Sequence, residues 1–257
     1  MKFLLLLLYF LSSILASTIY IPDDYSSIQE GINMSLDGDT IIVNNGVYYE
    51  SMINSYGKDI IISGEVNLEG YPLATIDGGG EESIIFMFNG ADGPGCTIEN
   101  FNIMNSSGNA IWMYSSDPII RNIILSDNIG LSGASAIWGS DSAPWIDNCI
   151  FTNNSTDVIL QNSSSLYVSE SIFNNIEILN STNSIVLTGS NATIVDSEFN
   201  GNNLSGGKIT YYGFSNGVYA EIQNCLFHNY VNPILDITRT NLEIENSQFK
   251  NNNTDDP

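Results

Sequence analysis

Trp112 and Trp138 each stand eight residues before an apolar position, Ile120 and Ile146, that opens the same short motif. Isoleucine precedes both of them, at Ile111 and Ile137. On an extended strand successive side chains point to opposite faces, so inward isoleucines imply outward indoles. Two outward indoles at one position of neighbouring repeats would offer a platform to the apolar faces of sugar rings, with Tyr114 and Trp145 expected close by. The competing expectation is that a long turn, 106–109 or 126–135, folds over them. Along the later repeats the same position falls on Leu160, Val186, Phe214 and Asp236, so the strip fades into apolar residues. Asp236 and Arg239 are the one acid–base pair expected near this face. A surface ion pair at a turn, worth little stability, is the simpler account of them.

Other chemistry finds less support. The single histidine, His228, sits between Phe227 and Asn229 in a turn, and no pair of cysteines has the spacing of a zinc site. Asp37-Gly38-Asp39, and Asp77 followed by glycines 78–80, could supply oxygens to Ca²⁺. Neither matches an EF-hand loop or a Gly-rich nonapeptide repeat, so structural turns are the expected role and no metal ligand is assigned. The net charge of -23, with only 6 Lys+Arg, argues against nucleic acid and anionic membranes, which need a basic surface. It also makes a polyanionic glycan an awkward ligand unless Ca²⁺ bridges the carboxylates, and it fits an acidic protein kept soluble by its charge. Cys149 and Cys225 share a repeat position three repeats apart, roughly 14 Å at about 4.8 Å per rung, too far for a disulfide. With Cys96 they are read as buried small apolar residues.

The elements that would position these residues follow from a repeat over residues 96–249. Its anchors are Ile98-Glu99-Asn100, Ile120-Arg121-Asn122, Ile146-Asp147-Asn148, Val168-Ser169-Glu170, Ile194-Val195-Asp196, Ile222-Gln223-Asn224 and Ile244-Glu245-Asn246, spaced 22 to 28 residues apart. Five residues after each anchor come Ile103, Leu125, Phe151, Phe173, Phe199, Phe227 and Phe249. A fixed period in the twenties marks a solenoid, and alternation with period two marks strands rather than helices. A third short run precedes each anchor, so every repeat reads as three strands and three turns. Asn at the bend tolerates left-handed backbone, and its amides can bond one rung to the next. Glu170 and Asp196 should interrupt that amide ladder. The phenylalanines should stack inside the cylinder.

This pattern resembles the right-handed parallel β-helix superfamily, the scaffold of pectate lyases and pectin esterases, and above all secreted proteins known only by their β-helix repeats. The resemblance covers nearly all of the chain after the first segment. It implies an all-β, right-handed parallel β-helix solenoid with a short N-terminal amphipathic capping helix. It also implies that any chemistry sits on the strand face eight or nine residues before the anchor. A lyase of that kind resembles a fixed recipe: several Asp or Glu hold Ca²⁺ while an Arg or Lys abstracts a proton. The bases on offer are Lys58, Arg121, Lys208, Arg239 and Lys250, with Arg121 expected on another face. The two Asp and Arg of an esterase, and the Asp, His and Arg/Lys cluster of a hydrolase, are not found together.

In chain order, residues 1–16 read as a signal peptide: Lys2, an apolar stretch at 3–11 too short to span a membrane, and a small residue, Ala16. Export, to the medium or the cell surface, follows, with no membrane span after cleavage. Residues 17–39 read as a strand and a capping helix from about Ile28 to Leu36, capped by Ser26 or Ser27, with Ile28, Ile32 and Leu36 on one face and Gly38 ending it. Residues 40–257 read as the β-helix. The chain stops soon after the seventh anchor and its Phe, which reads as a fragment or an unusually minimal C-terminus. The expected function is a non-catalytic scaffold that binds glycan or protein. A pectate-lyase-like lyase or hydrolase with divergent or missing catalytic residues is the alternative. Oligomeric state has no signature in the sequence.

Overall fold

Alternating strands that bury one face can stack only if the next coil repeats them in register, and the anchors do so. Ile98, Ile120, Ile146, Val168, Ile194, Ile222 and Ile244 pair rung by rung in one parallel ladder. The ladder continues backwards through Ile62 and Ile41 to Ile19, so the N-terminal strand Thr18–Ile21 is its first rung. The computed structural model describes residues 16–80, 84–90, 93, 95–129, 135–154, 159–162, 165–174, 183–202, 208–212, 218–231 and 234–252. The expected signal segment lies almost wholly outside them. Among the described residues no helix is long and apolar enough to cross a membrane.

Each coil carries three strand faces. The anchor face turns at the bend residue into a second face that holds the phenylalanine column, Ile103 through Phe249. A third face of eight parallel strands closes the coil. All seven bend residues, Asn100, Asn122, Asn148, Glu170, Asp196, Asn224 and Asn246, have φ between 49° and 66°. This is the left-handed region, where a short polar side chain is the least costly non-glycine choice. Asn122 Nδ2 donates to Asn100 Oδ1 at 2.7 Å and Asn148 Nδ2 to Asn122 Oδ1 at 3.3 Å. Beyond Glu170 the pattern resumes with Asn224 donating to the Asp196 carboxylate at 3.0 Å. Inside, Phe151, Phe173, Phe199, Phe227 and Phe249 stack with centroids 4.6 to 5.0 Å apart and planes within 11°.

The open N-terminal end is covered by helix α1, Ile28–Met34, whose Ile28 and Ile32 are fully buried. Ser27 is its N-cap and accepts from the Glu30 amide, while the Glu50 carboxylate accepts from the Ile28 and Gln29 amides at 2.9 and 3.3 Å. Lys58 Nζ donates to the last carbonyls, Ile32, Asn33 and Ser35. A carboxylate at the N-terminus and an ammonium at the C-terminus both match the helix dipole. The helix is shorter than its apolar spacing suggests. It stops at Met34, Ser35 turns the chain, and Leu36 is exposed rather than buried. A hairpin-like excursion, closed by a bridge between Val66 and Pro72, leaves the third rung at Gly64. A Cβ there would lie 2.1 Å from the Asn100 carbonyl oxygen, so only glycine fits. From the excursion the Gly70 carbonyl accepts from Asn122 Nδ2 at 2.9 Å.

Candidate functional site

The third face positions the two tryptophans as the alternation requires. Ile111, Met113 and Ile137 are fully buried, while Trp112 and Trp138 are half-buried on the outer side. The two indoles are register partners, 5.5 Å apart with planes 9° from parallel. At that separation two near-parallel indoles must overlap, so each covers one face of the other. What remains open is a part of the outer faces and edges. Tyr114, two residues along the same strand, is 45% exposed with its ring 6.2 Å from Trp112.

Along this column the order is Met87, Trp112, Trp138, Leu160, Val186, Thr210 and Asp236. The sixth position is Thr210, not Phe214, which lies outside the described residues. That coil's extra length falls between the strands Lys208–Tyr212 and Val218–Gln223, after the third face rather than before it. The aromatic strip ends after two rungs, where Leu160 follows Trp138, and Val186 and Thr210 further along are buried. Asp236 is four rungs beyond Trp138 and half-buried, and Arg239 is exposed in a turn at φ 55°. The two form no ion pair with each other: the pairs among the described residues are Arg121 with Glu99 and Asp147, and His228 with Glu198.

Trp145 is not part of the Trp112 strip. It stands on the anchor face, one residue before its anchor, where Tyr167 is its register partner. The two rings meet edge to face at 5.7 Å and 90°. Arg121, one coil earlier, lies 5.7 Å from the centre of the Trp145 ring, and its Nε donates to Asp147 Oδ2 at 3.2 Å. Ser169 completes the cluster: its hydroxyl accepts from Trp145 Nε1 at 3.1 Å and donates to Asp147 Oδ1 at 2.6 Å. The motif gives the register of Trp145 and Tyr167, since both directly precede their anchors, but not the contacts that Arg121, Asp147 and Ser169 make with them across coils.

The turn carboxylates have structural partners. Asp39 accepts the Ser17 and Leu36 amides at 2.7 and 2.8 Å, and these backbone hydrogen bonds hold its carboxyl below the usual value. Asp77 accepts from Gly79 N at 2.8 Å and Asn105 Nδ2 at 2.9 Å, and Asp37 from Asp59 N at 3.1 Å. Among the described residues no group of three His, Cys, Asp or Glu is placed to hold a metal. Cys96, Cys149 and Cys225 are buried and form no disulfide with one another. Burial pushes the Cys149 thiol up to about 12 and that of Cys225 up to about 11.

The family model described as right handed beta helix region matches residues 83–249, well over half of the 257 residues. The chain belongs to this right-handed β-helix family. Among solved structures, ORF18 of Geobacillus virus E2 is similar at 12% identity with a TM-score of 0.50. The match covers 91% of this chain, which spans 58% of that one. The A-module of the Azotobacter vinelandii mannuronan C-5 epimerase AlgE4 also matches, at 14% identity and a TM-score of 0.34 over 93% of this chain and 94% of that module. At 12% identity the likeness to the viral protein is one of fold alone. A search of curated proteins returned no match.

Proposed function

We propose that this chain is an exported or cell-surface β-helix scaffold that binds a glycan or a protein partner without chemistry of its own. The observation that carries the reading is the outward Trp112–Trp138 stack with exposed Tyr114 beside it. Aromatic area held rigid by a sheet is well suited to contact and loses little side-chain freedom on binding. Export rests on Lys2 and the apolar stretch at 3–11. The charge of -23 disfavours nucleic acid and bare anionic glycans.

The test replaces both indoles. Trp112→Ala with Trp138→Ala should keep the circular dichroism of the parent and lose binding to the glycans or surface extracts that the parent retains. Undiminished binding by the double variant would sink the reading.

A second reading, a polysaccharide-active enzyme, draws on Arg121, where one guanidinium and two carboxylates converge beside aromatic rings. Incubation with plant and algal polysaccharides, with and without Ca²⁺, separates the two. New chain ends or unsaturated products that vanish in Arg121→Ala would put the enzyme first.

A further inference from the structure

The anchor face holds a second feature beyond the ion-paired cluster. In the column just before the anchors, the order is Trp145, Tyr167, Thr193 and Glu221. Trp145 covers one side of Tyr167 edge to face. On the other side the next rung supplies only the small side chain of Thr193. The in-register step from tyrosine to threonine therefore leaves one side of a ring, 39% exposed, without a second aromatic neighbour among the described residues. A shallow groove of about 260 Å³ opens there. Its walls and rim come from Ala143, Pro144, Ser165, Tyr167, Asn191 and Thr193. The Asn191 Oδ1 is held by the Tyr219 amide at 2.9 Å, so its NH₂ end is the part left to donate.

The chemistry of this lining is specific. With the buried Leu166 and Ala192 behind it, it combines one phenol ring, two small apolar residues, two aliphatic hydroxyls and a carboxamide, and among the described residues no charged one lines it, although the chain has 29 Asp+Glu. A cationic ligand would find no carboxylate in the groove. An anionic one would meet the field of a chain at -23 with no arginine or lysine lining the groove to offset it. A ring with an apolar face and neutral hydroxyls around its edge satisfies both the tyrosine and the rim. We propose that this groove is a saccharide subsite that takes one neutral sugar unit of a glycan chain, stacked on the open side of Tyr167. The site is separate from the Trp112–Trp138 strip and does not depend on it.

The experiment measures binding of the protein to cello-, laminari-, malto-, manno- and xylotetraose by calorimetry and saturation-transfer NMR, with tetragalacturonate as the charged comparator. At least one neutral tetraose should bind at millimolar or tighter affinity. Tyr167→Ala removes the stacking ring and Thr193→Trp fills the step beneath it. Each should weaken that binding roughly tenfold or more while leaving the circular dichroism unchanged. Tyr49→Ala, at an exposed tyrosine outside both sites, should leave it within twofold of the parent, and a loss in Tyr167→Ala with both indoles intact separates this groove from the Trp112–Trp138 strip. No binding of any neutral tetraose overturns the proposal. So does either groove variant binding within twofold of the parent, or tighter binding of tetragalacturonate than of every neutral sugar.

Discussion

Two aromatic stacks run along the same axis, one inside the cylinder and one outside. Inside, five phenylalanines continue over five coils at 4.6 to 5.0 Å, and the first four are fully buried. Outside, two tryptophans stack at 5.5 Å over two coils and are half-buried. The geometry is nearly the same because both follow from parallel strands in register, which bring equivalent side chains within stacking distance. Stacking alone therefore does not separate a structural ring from a binding ring. Burial does. An inner ring fills volume that would otherwise be a cavity, so the column has reason to continue through every coil. An outer ring fills nothing, so the strip stops where Leu160 follows Trp138.

The comparison breaks most sharply at Phe173. Phe173→Ala empties the middle of the inner stack and should cost roughly 3–5 kcal/mol in denaturant unfolding. A neutral result would mean the rings do not carry the core. Next, Asn122→Ala removes an amide bonded on both sides and puts alanine at φ 49°. The left-handed backbone alone should cost about 1–2 kcal/mol. Asn122→Gly, which keeps that backbone, should recover part of the loss. If glycine and alanine are equal, the amide ladder rather than the backbone carries the effect. The outer pair comes third. Trp112→Ala with Trp138→Ala should cost about 1 kcal/mol, the scale of one aromatic pair. A loss as large as that of Phe173→Ala would make the outer stack structural. The smallest effect is expected at Cys149→Ser. Ser171, Ser197 and Ser247 occupy that position in other coils, where their hydroxyls accept backbone amides at 3.1 to 3.2 Å. The change should stay under about 1 kcal/mol. With the thiol pushed up to about 12, folded Cys149 should resist thiol reagents at neutral pH and react only on unfolding.

The coil was legible because its signals are local. The anchor, the bend residue and the phenylalanine lie within six residues of each other, so period and alternation place them without knowledge of distant contacts. The bend at Glu170 and Asp196 keeps the same left-handed backbone as the asparagines, although the amide chain is interrupted there. What escaped depended on where extra residues enter a coil. The position given to Phe214 belongs to Thr210 because that coil lengthens after its third strand, and the motif carries no sign of which turn receives an insertion. Leu36 escaped because its spacing continues the helix face, yet the Lys58 ammonium, drawn from the next coil, caps the carbonyls before it. Trp145 escaped for a different reason. Its register was plain, but its partners Arg121 and Tyr167 lie 24 and 22 residues away and meet it only when coils stack.

The anchor ladder from Ile19 to Ile244 also sets an order of assembly. Every inner rung pairs with the coils immediately before and after it, so the sequence distance a contact must close stays near one coil however long the solenoid grows. Each folded coil presents a complete parallel edge to the next stretch of chain, with its inner ring and bend amide already aimed. Growth from the helix-covered N-terminal end needs no residue that has yet to emerge, which suits a chain that leaves the ribosome N-terminus first.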